Sequence, residues 1–164
     1  YLIVQDVADC IGCRACEVHC KSKNKPGPSA FYCRILKVTS ADTPVPKVSF
    51  VYLSCFHCEK AWCIDACPTG AMRRREKDGI VYVEQSACVG CKACITACPW
   101  TVPQWNAETG KVGKCDLCMD RIDAGLEPAC VTKCVTNCLH FTTPNEASET
   151  ARQAYAEQLM QHRR

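Results

Sequence analysis

The sequence predicts an α+β fold of short helices and small antiparallel strands, held together by metal more than by a large apolar core. Three observations carry this expectation. The chain has 164 residues and 18 cysteines, a density above the roughly 8–10% that marks a cysteine scaffold. Aromatic residues make up only 7% of it, so large side chains to fill a core are scarce, and small domains in that position use disulfides or metals. The cysteines also fall into four groups of four with closely related spacing.

The groups follow in order. Cys10, Cys13, Cys16 and Cys20 are spaced C-x2-C-x2-C-x3-C. Cys55, Cys58, Cys63 and Cys67 are spaced C-x2-C-x4-C-x3-C and followed by Pro68. Cys88, Cys91, Cys94 and Cys98 repeat the first spacing and precede Pro99. Cys115, Cys118, Cys130 and Cys134 are spaced C-x2-C-x11-C-x3-C, and Cys33 and Cys138 are left over. Cys-Ile-Gly-Cys-Arg-Ala-Cys at 10–16 matches Cys-Val-Gly-Cys-Lys-Ala-Cys at 88–94, and the second and fourth groups correspond, so a two-group module is duplicated.

The elements follow from the punctuation. Residues 1–6 alternate as a strand. Lys21 to Ala30, with Pro26-Gly27-Pro28, reads as a loop. Phe31 to Thr39 and Lys47 to Leu53 read as strands around a Pro44/Pro46 turn. Met72 to Arg75 and Ile80 to Val83 form a hairpin across Lys77-Asp78-Gly79. Short helices are expected to carry the fourth cysteine of each group. Residues 145–163 read as a helix, capped by Thr143 or Asn145, with Ala147, Ala151, Ala154 and Leu159 as packing positions.

The spacing suits a [4Fe–4S] cubane. Three close cysteines on a loop wrap one face, and a fourth, four positions on, is carried about 6 Å further by a helical rise of 1.5 Å per residue. In two-cluster ferredoxins that fourth cysteine serves the other cluster and Pro follows it; Pro ends the helix because it fixes φ and lacks an N–H. Gly12 and Gly90 suit the tight turn and let backbone N–H groups approach sulfur. A disulfide framework does not demand this rhythm. Structural zinc uses paired C-x2-C units but leaves the repeated fourth cysteine unexplained. Thioredoxin-like exchange needs one C-x-x-C, not a ladder.

Composition excludes other classes. The formal charge is +3, but four clusters with their thiolates would add roughly −8 and make the holoprotein acidic, so nucleic-acid binding is not expected. Arg73-Arg74-Arg75 reads as a solvated turn. No apolar run approaches the roughly 18 residues of a membrane span, and the opening residues lack the basic n-region of a signal peptide, so a cytoplasmic location without membrane insertion is the expectation; export with a partner is the alternative. His19, His57, His140 and His162 are scattered, with His57 the best candidate for a donor to a cluster. Trp62, Trp100 and Trp105 lie near cysteine groups, where they would shield clusters, and Cys33 reads as a buried apolar thiol. No nucleophile, acid–base pair or phosphate loop stands out, so catalysis is assigned to a partner.

Asp9-Cys-Ile-Gly-Cys-Arg-Ala-Cys16, Cys55-Phe-His-Cys58, Ala66-Cys-Pro-Thr-Gly-Ala71, Ala97-Cys-Pro-Trp100 and Lys114-Cys-Asp-Leu-Cys118 together resemble the four-cluster subunits of molybdenum or tungsten pterin oxidoreductases. These include beta subunits of the dimethyl-sulfoxide-reductase family and small polyferredoxin subunits of tungsten aldehyde oxidoreductases. The resemblance covers roughly residues 3–142 and implies two packed bacterial-ferredoxin-like units with nested motifs. An outer unit would span 1–46 and 106–144, an inner unit 47–105, and a C-terminal helix 145–164.

The resemblance also implies the ligand sets. Cys55, Cys58 and Cys63 would share a cluster with Cys98, and Cys88, Cys91 and Cys94 with Cys67. Cys10, Cys13 and Cys16 would take Cys134, and Cys115, Cys118 and Cys130 would take Cys20. Tandem pairing within neighbouring groups is the runner-up, because the repeat alone permits it. Departures from the family pattern are Lys21 after Cys20, Val135 after Cys134, and Cys138 where a small residue is common; Cys138 is expected to remain an unligated thiol. The longer beta subunits carry C-terminal sequence, including membrane-partner contacts, that this chain is expected to lack.

The expected function is to pass single electrons along four [4Fe–4S] clusters. The partner at one end would be a molybdenum or tungsten pterin catalytic subunit, such as an aldehyde oxidoreductase or formate dehydrogenase. The other end would meet a flavin subunit, a carrier or further copies of the chain. A free-standing polyferredoxin and a zinc-stabilised interaction module are the rival readings. All-thiolate ligation favours low potentials within the broad iron–sulfur range, with Lys60, Lys92, Lys114 and Lys133 placed to tune them.

Overall fold

The computed structural model describes residues 1–40 and 45–161. Its strands pair two by two. β1 (Leu2–Gln5) runs antiparallel to β8 (Leu139–Thr142), with Leu2 opposite Thr142 and Gln5 opposite Leu139. β2 (Arg34–Ser40) pairs with β3 (Lys47–Leu53). β4 (Met72–Arg74) pairs with β5 (Val81–Val83), and β6 (Gln104–Asn106) with β7 (Lys111–Gly113). The helices are α1 (Ala15–Asn24), α2 (Trp62–Asp65), α3 (Ala93–Ala97), α4 (Met119–Asp123), α5 (Ala129–Thr132) and α6 (Pro144–Gln161). This is the small α+β arrangement of short helices and antiparallel strand pairs that the sequence predicts.

Elements far apart in sequence meet. α1 packs on α5, α2 on α3, and β1 on β8. The Gln5 side chain fastens β1 to β3, donating to the Phe50 carbonyl at 2.8 Å and accepting from the Tyr52 N–H at 2.7 Å. Buried Glu17 of α1 accepts the Ile35 N–H at 2.5 Å, which fixes the start of β2 against that helix.

Cysteines are part of the core. One cluster of packed residues joins Cys16, Cys20, Cys33, Cys130 and Cys138 with Ile35, Val131 and Leu139. A second joins Cys94, with Cys63, Cys67 and Cys88 at its edge, to Met72, Val81 and Val112. A third, smaller one sets Cys115 with Ile80 and Leu117 and packs Cys55 against them.

Several expectations need correction. The short helices carry the third cysteine of each group, and only Cys20 of the fourth cysteines is helical. Cys98 is the C-cap of α3, while Cys67 and Cys134 lie just past α2 and α5. Pro68 and Pro99 disfavour a helical backbone at Cys67 and Cys98, so α2 and α3 stop earlier than the spacing suggests. Arg73-Arg74-Arg75 is no solvated turn: Arg73 and Arg74 lie in β4, Arg74 donates to the Cys58 and Glu59 carbonyls, and Arg75 pairs with Asp78 and Asp123.

The helix α6 starts with a capping box. The Thr143 hydroxyl accepts the Glu146 N–H, and Glu146 accepts the Thr143 N–H at 2.9 Å. Of its expected packing positions only Ala147 is half-buried; Ala151, Ala154 and Leu159 are exposed, because the helix has no continuous stripe of large apolar residues to bury. Pro44 of the expected turn and His162 lie outside the described residues, as do the last residues of the expected C-terminal helix. The expected unit boundary at 46/47 falls inside the β2–β3 hairpin, and that at 105/106 inside β6.

Candidate metal centres

The loops that present the cysteines owe their shape to backbone signs that the sequence marks. Gly12 and Gly90 have φ of +69° and +70°. The next turn puts Arg14 and Lys92 in the left-handed region, at φ 60° and 65°, as caps of α1 and α3. The second and fourth groups use His57 and Leu117 in the same region. That curl brings the His57 N–H to the Cys55 Sγ at 3.4 Å and the Leu117 N–H to the Cys115 Sγ at 3.4 Å. The duplicated module is therefore duplicated in its hydrogen bonds as well.

Three cavities are ringed by cysteines. One is lined by Cys55, Cys58, Cys63 and Cys98, with Phe56, Trp62, Trp100 and Lys114. The second is lined by Cys67, Cys88, Cys91 and Cys94, with Lys92. The third is lined by Cys10, Cys13, Cys16, Cys134 and Cys138, with Arg14. In each, three cysteines come from one group and the wall is completed from another. The remaining four, Cys20, Cys115, Cys118 and Cys130, are all buried, and Cys115, Cys118 and Cys130 each feel the charge of Cys20.

The donor chemistry fits a polynuclear cluster. A tetrahedral zinc with Zn–S of about 2.3 Å needs sulfurs about 3.8 Å apart; among the described residues no three His, Cys, Asp or Glu side chains converge on a point for one ion. The thiols ring a volume instead. Burial pushes the Cys94 thiol up to about 11 and Cys130 up to about 12, so ionising them there needs strong local positive charge. A bound metal centre would supply it, since a coordinating thiol is deprotonated outright.

Polar neighbours aim at the sulfurs. The Met72 N–H reaches the Cys67 Sγ at 3.4 Å, and Thr69 lies 3.8 Å from the same atom. Thr136 repeats this at Cys134, at 3.9 Å. The Tyr52 hydroxyl donates to Cys130 Sγ and Asn24 Nδ2 to Cys20 Sγ, both at 3.4 Å. The Cys-x-Thr recurrence at 67–69 and 134–136 is a signal that the sequence offered; Tyr52 and Asn24 had none. Cys33 is buried, within hydrogen-bonding reach of both Cys16 and Cys20. Trp62 and Trp100 line the first cavity while remaining partly exposed; Trp105 sits under the Lys92 ammonium, 4.1 Å from its ring centre.

His57 is the buried histidine. Its Nδ1 accepts the Val81 N–H at 3.0 Å, and its Nε2 has no partner among the described residues. Burial, then the nearby Lys114 charge, pushes its pKa down to about 2, so the ring stays neutral and carries its proton on Nε2. His19 and His140 are exposed.

A family model described as a 4Fe-4S dicluster domain matches residues 46–144, more than half the chain. The chain belongs to the 4Fe-4S dicluster family. It is 43% identical over 150 residues to the thiosulfate reductase electron transfer subunit of Salmonella typhi, covering 90% of this chain and 78% of that one. One subunit of the anaerobic dimethyl sulfoxide reductase of Escherichia coli K12 is 37% identical over 144 residues, covering 83% of this chain and 70% of that subunit. The iron-sulfur subunit of the nitrate-inducible formate dehydrogenase of the same strain is 35% identical over 167 residues, covering 92% of this chain and 57% of that one.

Membership of the dicluster family makes this an iron–sulfur protein, and its cysteines hold [4Fe–4S] clusters, each a store for one electron at a time. What the chain contributes is ligation, low dielectric around the sulfurs, and N–H and O–H donors that set the potential. Among the described residues no helix is long and apolar enough to cross a membrane.

Proposed function

We propose that this chain is the non-catalytic electron-transfer subunit of a molybdenum or tungsten pterin oxidoreductase, carrying electrons along four [4Fe–4S] clusters with the cross-ligation described above. One observation carries the reading: each cysteine-lined cavity is completed by a cysteine from a different group, Cys98 for the second group, Cys67 for the third and Cys134 for the first. A protein storing one electron needs one cluster; a row is useful only when both ends face other redox groups. The relatives named as subunits of thiosulfate reductase, dimethyl sulfoxide reductase and formate dehydrogenase support a catalytic partner at one end. A flavin subunit, a carrier or another copy would serve the other.

Cys134 is the proposed ligand and Cys138 its neighbour. Their sulfurs lie 3.5 Å apart. Burial pushes the Cys138 thiol up to about 12, whereas at Cys134 burial is outweighed by hydrogen bonds from Cys138 and from the Leu139 N–H, which hold its thiol down. That pair suits a thiolate ligand with a thiol donor beside it. We place the β2–β3 hairpin in the outer unit with β1, α1, α5 and β8, and α2, β4, β5 and α3 in the inner one.

Metal analysis of anaerobically purified protein tests the reading. It should contain roughly sixteen irons and sixteen acid-labile sulfides per chain and co-purify with a large pterin-containing subunit. About twelve irons or fewer in fully loaded material, or stoichiometric zinc, contradicts it.

A further inference from the structure

Two of the three packed cores hold cysteines of one half of the ladder only. The core with Cys16, Cys20 and Cys130 contains none from the second or third group, and the core with Cys63, Cys67, Cys88 and Cys94 contains none from the first or fourth. The small third core differs. There Cys55 packs against the cluster of Cys115, Ile80 and Leu117. It is the packed core that brings cysteines of both halves together.

Lys114 occupies it. Its side chain is buried, with only 4% of the residue exposed. The ammonium donates to the carbonyl of Cys115 at 2.8 Å and to that of Val81, and it lines the cavity of Cys55, Cys58, Cys63 and Cys98. Val81 in turn holds His57 through its N–H, so one strand residue fixes both groups. Arg14 and Lys92 line the other two cavities but are exposed, where water and salt screen them. A buried cation keeps much more of its field.

We propose that Lys114 is a shared control point: its buried ammonium raises the reduction potentials of two clusters together, the one bounded by Cys55, Cys58, Cys63 and Cys98 and the one bounded by Cys20, Cys115, Cys118 and Cys130. The inference rests on the four-cluster reading above. Reduction adds one negative charge at either side, and a nearby cation stabilises that charge. The second of these sites needs it most, because all four of its thiols are buried, and low dielectric disfavours added charge. The crossing moves one electron and no atoms; what one side loses the other gains. Lys114 is thus a positioning residue for electron flow between the halves.

The test is an EPR-monitored redox titration of the holoprotein with Lys114→Gln, which keeps a donor for the carbonyls and removes the charge, and Lys114→Arg, which keeps the charge. In Lys114→Gln, two of the four clusters should become at least tenfold harder to reduce, about 59 mV for a one-electron couple, and the other two should shift less. The two that move should be those perturbed by Cys58→Ala and by Cys118→Ala. Lys114→Arg should hold both near their parent values. Four unmoved potentials, a single shift or a shift of all four overturns the inference, and so does loss of iron in Lys114→Gln, which would assign Lys114 to scaffolding. Fewer than four clusters in the parent protein rejects the four-cluster reading itself, whereas four clusters with unmoved potentials reject only the role of Lys114.

Discussion

The first and third cysteine groups begin alike and end differently. Both loops use Gly at φ near +70°, then Arg14 or Lys92 in the left-handed region as the helix cap. Then they part. α1 runs ten residues, encloses Cys20 and buries it, while α3 runs five and leaves Cys98 half-buried at its C-cap. The divergence follows from one position: Lys21 lets α1 continue, and Pro99 stops α3. The loop curls alike in both places, and at these two sites the residue after the fourth cysteine decides whether that sulfur is buried in the core or half-buried.

The largest expected effect exchanges that residue. Lys21→Pro places a ring inside α1, removes an N–H and crowds the Glu17 carbonyl, at a cost of about 3 kcal/mol or more. Glu17 also holds Ile35 and neighbours Arg34, so β2 should loosen with it. The reverse change, Pro99→Ala, should cost less than about 1 kcal/mol. Thermal unfolding of the two anaerobic holoproteins checks this; equal shifts would mean that the following residue does not set the difference.

A smaller effect separates the shared glycines. A Cβ at Gly90 would lie 2.2 Å from the Gly110 carbonyl oxygen and 2.9 Å from the Trp105 ring, whereas at Gly12 it would meet only the Phe50 ring, at 2.6 Å. A backbone carbonyl yields less readily than a side chain. Gly90→Ala should cost about 2–3 kcal/mol, and Gly12→Ala about 1–2, mostly the left-handed penalty. The same unfolding assay compares them, and a larger loss for Gly12→Ala would contradict the packing described for the two loops.

Local chemistry was legible in the sequence, and tertiary burial was not. The Lys47–Leu53 strand and the Lys77-Asp78-Gly79 hairpin are where the alternation and turn residues put them. The ends of α2 and α3 were misplaced because Pro68 and Pro99 were read as ending the helix after the cysteine, whereas their restriction falls on the cysteine itself. Arg75 read as solvated because one partner, Asp123, lies 48 positions away and the other, Asp78, read only as a turn residue. Lys114 was visible only as one lysine among four beside cysteines, and nothing local distinguishes it from exposed Lys92. The choice between nested and tandem pairing was likewise beyond the repeat itself, since cross-group proximity is a property of the folded chain.

The pairing of Cys67 tests the account most directly. The number of perturbed clusters, counted by EPR and iron content, should be one when Cys67→Ala is combined with Cys88→Ala, because both sulfurs belong to one cavity. It should be two when Cys67→Ala is combined with Cys55→Ala, whose sulfur lines the other cavity. The opposite outcome, one perturbed cluster for the Cys67 and Cys55 pair and two for the Cys67 and Cys88 pair, would mean that Cys67 completes its own group's cluster, and the nested scheme would fall.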